Sequence, residues 1–253
     1  MLVVHVQSEG FMTVPAKSFQ RWRLDVAPET TLAELCRQAG LKRTTLAQQL
    51  VRGKVSVSAV VAISRGIGLY PVNELSFFDR FSDVAAGVRA PTMVELLSQV
   101  SHLDVMAYLV QRSRASSGGS PEPQLGAFPH AASVRMWLEA IDRGDLRQAV
   151  ANVSGVAPQN ISAAVSVNRL SPHLAVVSAR LAEVSLTSGL VVTGVLTPEE
   201  GGWASGGRSA ALKQMSDGEL VALTQGRLEE MAKAVRKHER DEERSREVCE
   251  TLG

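Results

Sequence analysis

Apolar residues recur with helical period along most of this 253-residue chain. Leu32, Leu35, Cys36 and Ala39 follow the i, i+3, i+4, i+7 spacing of an amphipathic helix. Ahead of them Thr31-Leu-Ala-Glu34 reads as a capping box, in which the threonine hydroxyl accepts from the Glu34 amide and the carboxylate reaches back. Gly40 suits a tight turn, because a left-handed backbone costs glycine little. Leu41, Leu46 and Leu50 then return to the core. Ser56 and Ser58 offer caps to a further helix carrying Val60, Val61, Ile63, Ile67 and Leu69. Tyr70-Pro71-Val72-Asn73 interrupts that helix, and Glu74-Leu75 begins the next.

The same pattern returns 115 residues later, and repeats are weighed before a fold is named. Trp22 falls on Trp137, Gly40-Leu41 on Gly155-Val156, Leu46 on Ile161, Leu50 on Val165, Ser56 on Ser171 and Leu75 on Leu190. In the second copy Val150, Val153 and Ser154 precede the glycine. Ser171-Pro172 is an N-cap with proline at the first helical position, and Leu174, Val177, Leu181 and Val184 form the buried face that follows. Pro91-Thr-Met-Val-Glu95-Leu96 is echoed, 124 residues on, by Met215-Ser-Asp-Gly-Glu219-Leu220, and both are capping boxes. Only 4% of residues are aromatic against 45% apolar, which favours helices packed by aliphatic side chains. The expected fold is all-α, with two tandem helix-turn-helix domains, each followed by an extra helix.

Boundaries follow from composition. Residues 12–115 form the first domain and 131–226 the second. Between them 116–130, which includes Ser116-Ser-Gly-Gly-Ser-Pro-Glu-Pro-Gln124, reads as a linker. As a flexible coil such a tether spans roughly 21 Å root-mean-square, against about 34 Å between successive major-groove faces. Residues 227–253 carry charges of both signs and a short apolar stripe, Leu228, Met231 and Val235, which reads as a solvated helical tail. The start is Met1 or Met12; residues 1–11 lack the pattern of a signal peptide.

Net charge is +1, which excludes a protein that coats nucleic acid by charge alone. The distribution is uneven. Residues 12–115 carry thirteen basic against eight acidic residues, whereas 121–226 carry seven against nine. Cys36 and Cys249 make neither a disulfide framework nor a zinc spacing, and fit a reducing cytoplasm. His5, His102, His130, His173 and His238 are scattered, so no metal or cofactor is expected. Arg65-Gly66-Ile67-Gly68 ends a helix where a phosphate loop would open one, and the glycines of Gly201–Gly207 lack a partnering lysine. No apolar run suits a membrane. The chain reads as a non-enzyme.

Chemistry concentrates at the start of the helix after each turn glycine. The first copy places Lys42, Arg43, Thr44 and Thr45 there, then Ala47, Gln48 and Gln49. Arginine can hold guanine O6 and N7, glutamine can do the same for adenine, and the threonine methyl can touch thymine. Arg52, Lys54 and Ser56 follow where the chain would pass phosphates, and Arg21 and Arg23 could add contacts. The second copy offers Gln159 and Asn160 after Ala157-Pro158, then Ser162, Ala163, Ser166, Asn168 and Arg169, with His173 as a further phosphate candidate.

Thr31-Leu-Ala-Glu-Leu-Cys-Arg-Gln-Ala-Gly-Leu-Lys-Arg-Thr-Thr-Leu46 resembles the Cro/phage-repressor (XRE) type of helix-turn-helix. Gly194-Val-Leu-Thr-Pro-Glu-Glu200 and Met215-Ser-Asp-Gly-Glu-Leu220 resemble the tails of actinobacterial phage immunity repressors. The resemblance implies a transcriptional repressor in the bacterial cytoplasm, associated with the nucleoid and bound to double-stranded DNA. By position it implicates Arg43, Thr44 and Gln48, and Gln159, Asn160 and Ala163. Family members usually carry one such domain and dimerise, whereas this chain carries two. It is therefore expected to act as a monomeric pseudo-dimer or weak homodimer, reading an asymmetric bipartite site with one GC-leaning and one AT-leaning half. The alternatives are a protein-interaction module, such as an antirepressor or antitoxin, and a recombination accessory factor.

Overall fold

The structure is a computed structural model that describes residues 12–115 and 124–251. Residues 1–11, which separate the two expected starts, and most of the expected linker (116–123) lie outside the described ones. Residues 12–99 and 128–207 form one compact unit, and 100–115, 124–127 and 208–251 belong to another.

The first unit opens with strand β1 (Thr13–Pro15) and helix α1 (Ala16–Val26). Helices α2 (Leu32–Gln38) and α3 (Arg43–Val51) follow, joined by a turn through Gly40 at φ +65°. The Thr31 hydroxyl accepts from the Glu34 amide at 3.2 Å, as the capping box requires. Its second half does not form. The Glu34 carboxylate turns outward to Arg37 and Gln38, where it forms a same-face ion pair. Strand β2 (Lys54–Ser56) pairs antiparallel with β1, Val14 opposite Val55, so the otherwise helical fold contains one short ladder. Helix α4 (Val57–Gly66) starts at Ser56, whose hydroxyl accepts from Ala59. Gly66 lies against the end of α2, where a Cβ would come within 2.8 Å of the Ala39 nitrogen. The next helix, α5 (Pro71–Leu75), begins at Pro71 and not at Glu74, because proline suits the first turn. A 3-10 turn (Asp79–Phe81) and α6 (Met93–Ser98) complete this half.

The second half contains α8 (Ser133–Ile141), α9 (Leu146–Ser154), α10 (Pro158–Ser166), α11 (Pro172–Leu181) and α12 (Ser188–Val192). Helices α10 and α11 match α3 and α4 end to end at an offset of 115. The left-handed residues obey the same offset: Gly40 and Gly155, Gly53 and Asn168, Gly68 and Glu183 all have positive φ. Such backbone is rare outside glycine and asparagine, so its recurrence marks a duplicated chain path. Asn168 also substitutes for the missing ladder. Its side chain accepts from Val134 at 2.8 Å and donates to the His130 carbonyl at 3.2 Å. Two expected core positions differ: Val153 is 64% exposed, and Leu181 is 38% exposed at the end of its helix.

One hydrophobic cluster runs through both halves, from Val14 to Trp203. The halves are therefore not separate domains at 12–115 and 131–226. Local periodicity cannot reveal this, because the joining contacts are distant in sequence. Helix α6 packs on α8, and the Glu95 carboxylate is fully buried there. It caps α6 through Thr92 and accepts from the Trp137 indole at 3.1 Å. Trp22, the equivalent indole, instead donates to Glu74 of its own half at 2.7 Å. Elsewhere Leu186 donates to the Gly87 carbonyl, Arg89 to Ser185, and two arginine–carboxylate pairs cross between the halves.

In the second unit, α7 (His102–Ala115) packs along α14 (Asp217–Thr251), with α13 (Gly207–Gln214) leading into it. The Ser216–Glu219 capping box forms, with the Ser216 amide 2.7 Å from the carboxylate. Arg112 ties α7 to α14 through the Met215 carbonyl and Asp217. The charged residues 227–251 continue this single helix and are not a separate element. Leu228, Met231 and Val235 are exposed along it. Among the described residues, no helix is long and apolar enough to cross a membrane.

Because Glu95 serves both a helix cap and a buried indole, Glu95→Ala removes a cap and leaves the Trp137 N–H unsatisfied. The expected loss is about 2–3 kcal/mol. Urea unfolding followed by tryptophan fluorescence measures it, and an unchanged midpoint contradicts the assignment.

Candidate nucleic-acid interface

Helix α3 is held from beneath by Leu46, which is fully buried, and by half-buried Leu50. Its outer surface is left over. Lys42, Arg43, Thr44, Thr45, Ala47 and Gln48 are all exposed, and so is Arg52 just past its end. Thr44 and Gln48 lie one turn apart and share a face. Helix α10 is built alike. Ile161 and Val165 point inward, while Gln159, Asn160, Ser162 and Ala163 are exposed, and Gln159 and Ala163 occupy the places of Thr44 and Gln48. Neither helix has a side-chain cap, unlike α2, α4 and α11, which are capped by Thr31, Ser56 and Ser171. First-turn amides are thereby left to other acceptors.

Several expected contact residues are otherwise occupied. Ser56 caps α4, and its amide donates to the Gln49 side chain at 3.0 Å, which also withdraws Gln49 from the outer face. Lys54 is half-buried in β2. Asn168 spends both amide groups on the backbone of the segment before α8, so it is a structural residue at that position. Arg169, the counterpart of Lys54, is exposed. On α1, Arg21 is exposed and Arg23 half-buried, on either side of the buried Trp22.

His173 does not supply positive charge. It is half-buried beside Arg80 and Arg180, and burial first, then those two arginines, push its pKa down to about 4. The imidazole is neutral at pH 7.

The apparent excess of base in the first half also shrinks on inspection. Arg65 is paired with Glu200 and Arg37 with Glu34, while Arg89 lies across the junction of the halves. Among the described residues, Lys42, Arg43, Arg52 and Lys54 take part in no salt bridge. A cleft of about 460 Å³ at the junction is lined by Arg89, Arg143 and Arg180, but Arg143 is paired with Glu183 and Arg180 with Asp83. Lys42, Arg43, Arg52 and Lys54 thus form a group of cations around α3 outside these pairs.

Arg65, Arg180, Asp83 and Glu200 do not stand out in the sequence as functional residues. The signal was available: the arginines are separated by the repeat offset of 115, and the acids by 117. The Arg180 guanidinium holds the Asp83 carboxyl below the usual carboxylate range. Burial opposes ionisation of Glu200, but hydrogen bonds from Arg65 and Thr197 outweigh it and hold that carboxyl low as well. Comparison with protein-family models, curated proteins and solved structures finds no match to this chain.

The depressed histidine gives a pH signature. The unfolded chain takes up a proton at His173 below about pH 6.5, and the folded one only near 4. Folding stability should therefore fall as pH drops through that window. Below it, protonation of Asp83 and Glu200 removes their pairing and lowers stability further. His173→Gln should flatten the profile between pH 6.5 and 4 in urea titrations. An identical slope in wild type and variant contradicts a buried, neutral His173.

Proposed function

We propose that this chain is a sequence-specific repressor of the helix-turn-helix type that binds double-stranded DNA, with α3 and α10 as its two reading helices. The observation that carries this reading is the repeated, exposed outer face of those helices. On each, the inward residues are committed to the core, and the outward ones are types that hydrogen-bond or touch base edges in the major groove.

The two faces are chemically unequal. Helix α3 carries Arg43, Thr44 and Gln48 with Lys42, Arg52 and Lys54 nearby, which suits a guanine-containing half-site and phosphate attraction. Helix α10 carries Gln159 and Asn160 with Arg169 as its cation, which suits an adenine-rich half-site bound less tightly. The first half is the anchor and the second adds selectivity. Because both belong to one compact unit, one chain can present both faces, and dimerisation is not needed to assemble a bipartite reader. The phage-repressor role extends this reading and follows from the resemblance of residues 31–46.

A second reading, a module that grips a protein partner, draws on the acidic balance of the second half and the absence of cations on the exposed face of α10. Titration of wild type and variants against duplexes selected from a random library separates the two readings. Arg43→Ala should cost about 1–3 kcal/mol and relax preference at one base pair. Arg52→Ala should weaken all sequences alike and reduce the salt slope by about one. Unchanged affinity and preference in Arg43→Ala removes α3 as the reading helix, and failure to enrich any sequence favours the protein partner.

A further inference from the structure

The cleft at the junction of the halves is built on two backbone crossings. The Leu186 amide donates to the Gly87 carbonyl at 3.1 Å, and the Arg89 amide donates to the Ser185 hydroxyl at 3.0 Å. Glycine is required at position 87, because an added Cβ would overlap the Leu186 side chain. These contacts hold Gly87 and Leu186 together, and Arg89, Arg143, Arg180 and Glu183 complete the lining of a space of about 460 Å³. Small-molecule sites typically enclose about 300–1,000 Å³.

Three guanidiniums meet two carboxylates around this space, and donors are left over. Arg180 gives Asp83 its Nε and Nη2, while its Nη1 makes no hydrogen bond among the described residues. Arg89 takes part in no salt bridge among the described residues, and its guanidinium makes one long bond, to the Val184 carbonyl at 3.5 Å. Arg143 reaches Glu183 through Nη1 alone at 3.1 Å, with the two side chains 74% and 72% exposed. So exposed a pair contributes little and is readily exchanged for a stronger partner. Positive potential extends behind the cleft, where burial, then Arg80 and Arg180, push the pKa of His173 down to about 4.

Glu183 carries the clearest mark. Its backbone is left-handed, φ +58°, at the place where the first half has Gly68 at φ +75°. That conformation is unfavourable for a glutamate, and an exposed ion pair offsets little of the strain. At the same offset of 115, Arg143 falls on Pro28. Neither member of the Arg143–Glu183 pair therefore belongs to the duplicated framework. Strain retained at the edge of a cleft points to a role in that cleft.

We propose that this cleft binds a small polyphosphate anion of the nucleoside triphosphate kind, held by Arg89, Arg143 and Arg180, with Glu183 keeping Arg143 in place until the ligand displaces it. Guanidinium forks match phosphate oxygens in pairs, and a chain of phosphates carries enough oxygens to engage all three. The site does not rest on the DNA-reading role, since none of its lining residues belongs to α3 or α10. Its lining comes from both halves, so a bound anion would bridge their junction.

Calorimetric titration of the full chain with pyrophosphate and with adenosine triphosphate, both free of metal, tests this. The expected result is one saturable site for each. Arg89→Gln and Arg143→Gln should each weaken binding at least about tenfold, and Arg246→Gln, in the charged end of α14, should leave it unchanged. Glu183→Gln removes the carboxylate that competes for Arg143 and should tighten binding about threefold, a gain that a damaged fold cannot give. Absence of saturable binding at millimolar ligand, similar losses in all three arginine variants, or no gain in Glu183→Gln overturns the proposal. It is also overturned if wild type ignores both small anions while Arg89→Gln and Arg143→Gln weaken binding to a random-sequence duplex, because the cleft then meets the backbone phosphates of a nucleic acid.

Discussion

A buried indole N–H is costly to leave unpaired, and the two equivalent tryptophans find their acceptors in different places. Trp22 is satisfied within its own half by Glu74. Trp137 depends on Glu95, which belongs to α6 at the end of the first half. Leaving such a donor unpaired costs about 1–3 kcal/mol, so the second half is completed only when α6 is docked on α8. That dependence turns a tandem duplication into one folded unit. The shared core and the crossing arginine pairs follow from the same docking.

The consequence for function is geometric. Two domains on a loose tether sample many separations, and their joint binding is governed by effective concentration. Two halves welded through a common core hold one separation, and affinity comes with a strict demand on the spacing of the target. Under the proposed DNA reading, the protein's selectivity resides as much in the junction of its halves as in the side chains of α3 and α10. The charge pattern fits that division of labour. Arginines near the junction are paired with Asp83, Glu183 and Glu200, whereas Lys42, Arg43, Arg52 and Lys54 around α3 take part in no salt bridge among the described residues.

Much of the helical framework was legible in the sequence. The spacing of Leu35, Leu46, Ile161 and Val165 fixes helical faces, and Ser56 and Ser171 are the caps they are expected to be. What stayed hidden depends on distant partners. The Thr13–Ser56 ladder has only three residues per strand, too short for alternation to show. The unit boundaries escaped because α6 reads as the continuation of the first half, while its buried Glu95 serves the second. Glu34 satisfies the capping-box pattern, yet Arg37 and Gln38 compete for its carboxylate and win. At the candidate interface, solvent-facing residues such as Arg43, Gln48 and Gln159 were recognisable by type. Asn168 and Ser56 also bond the protein's own backbone and His173 is held neutral, which polarity along the sequence does not reveal.

The central claim is that a single chain presents both reading helices to one duplex. Native mass measurement of the protein on a duplex carrying its selected site, combined with hydroxyl-radical footprinting of the same complex, tests it most directly. The account predicts one chain per duplex and two protected patches. Two chains per duplex, or one chain protecting a single patch, would contradict it.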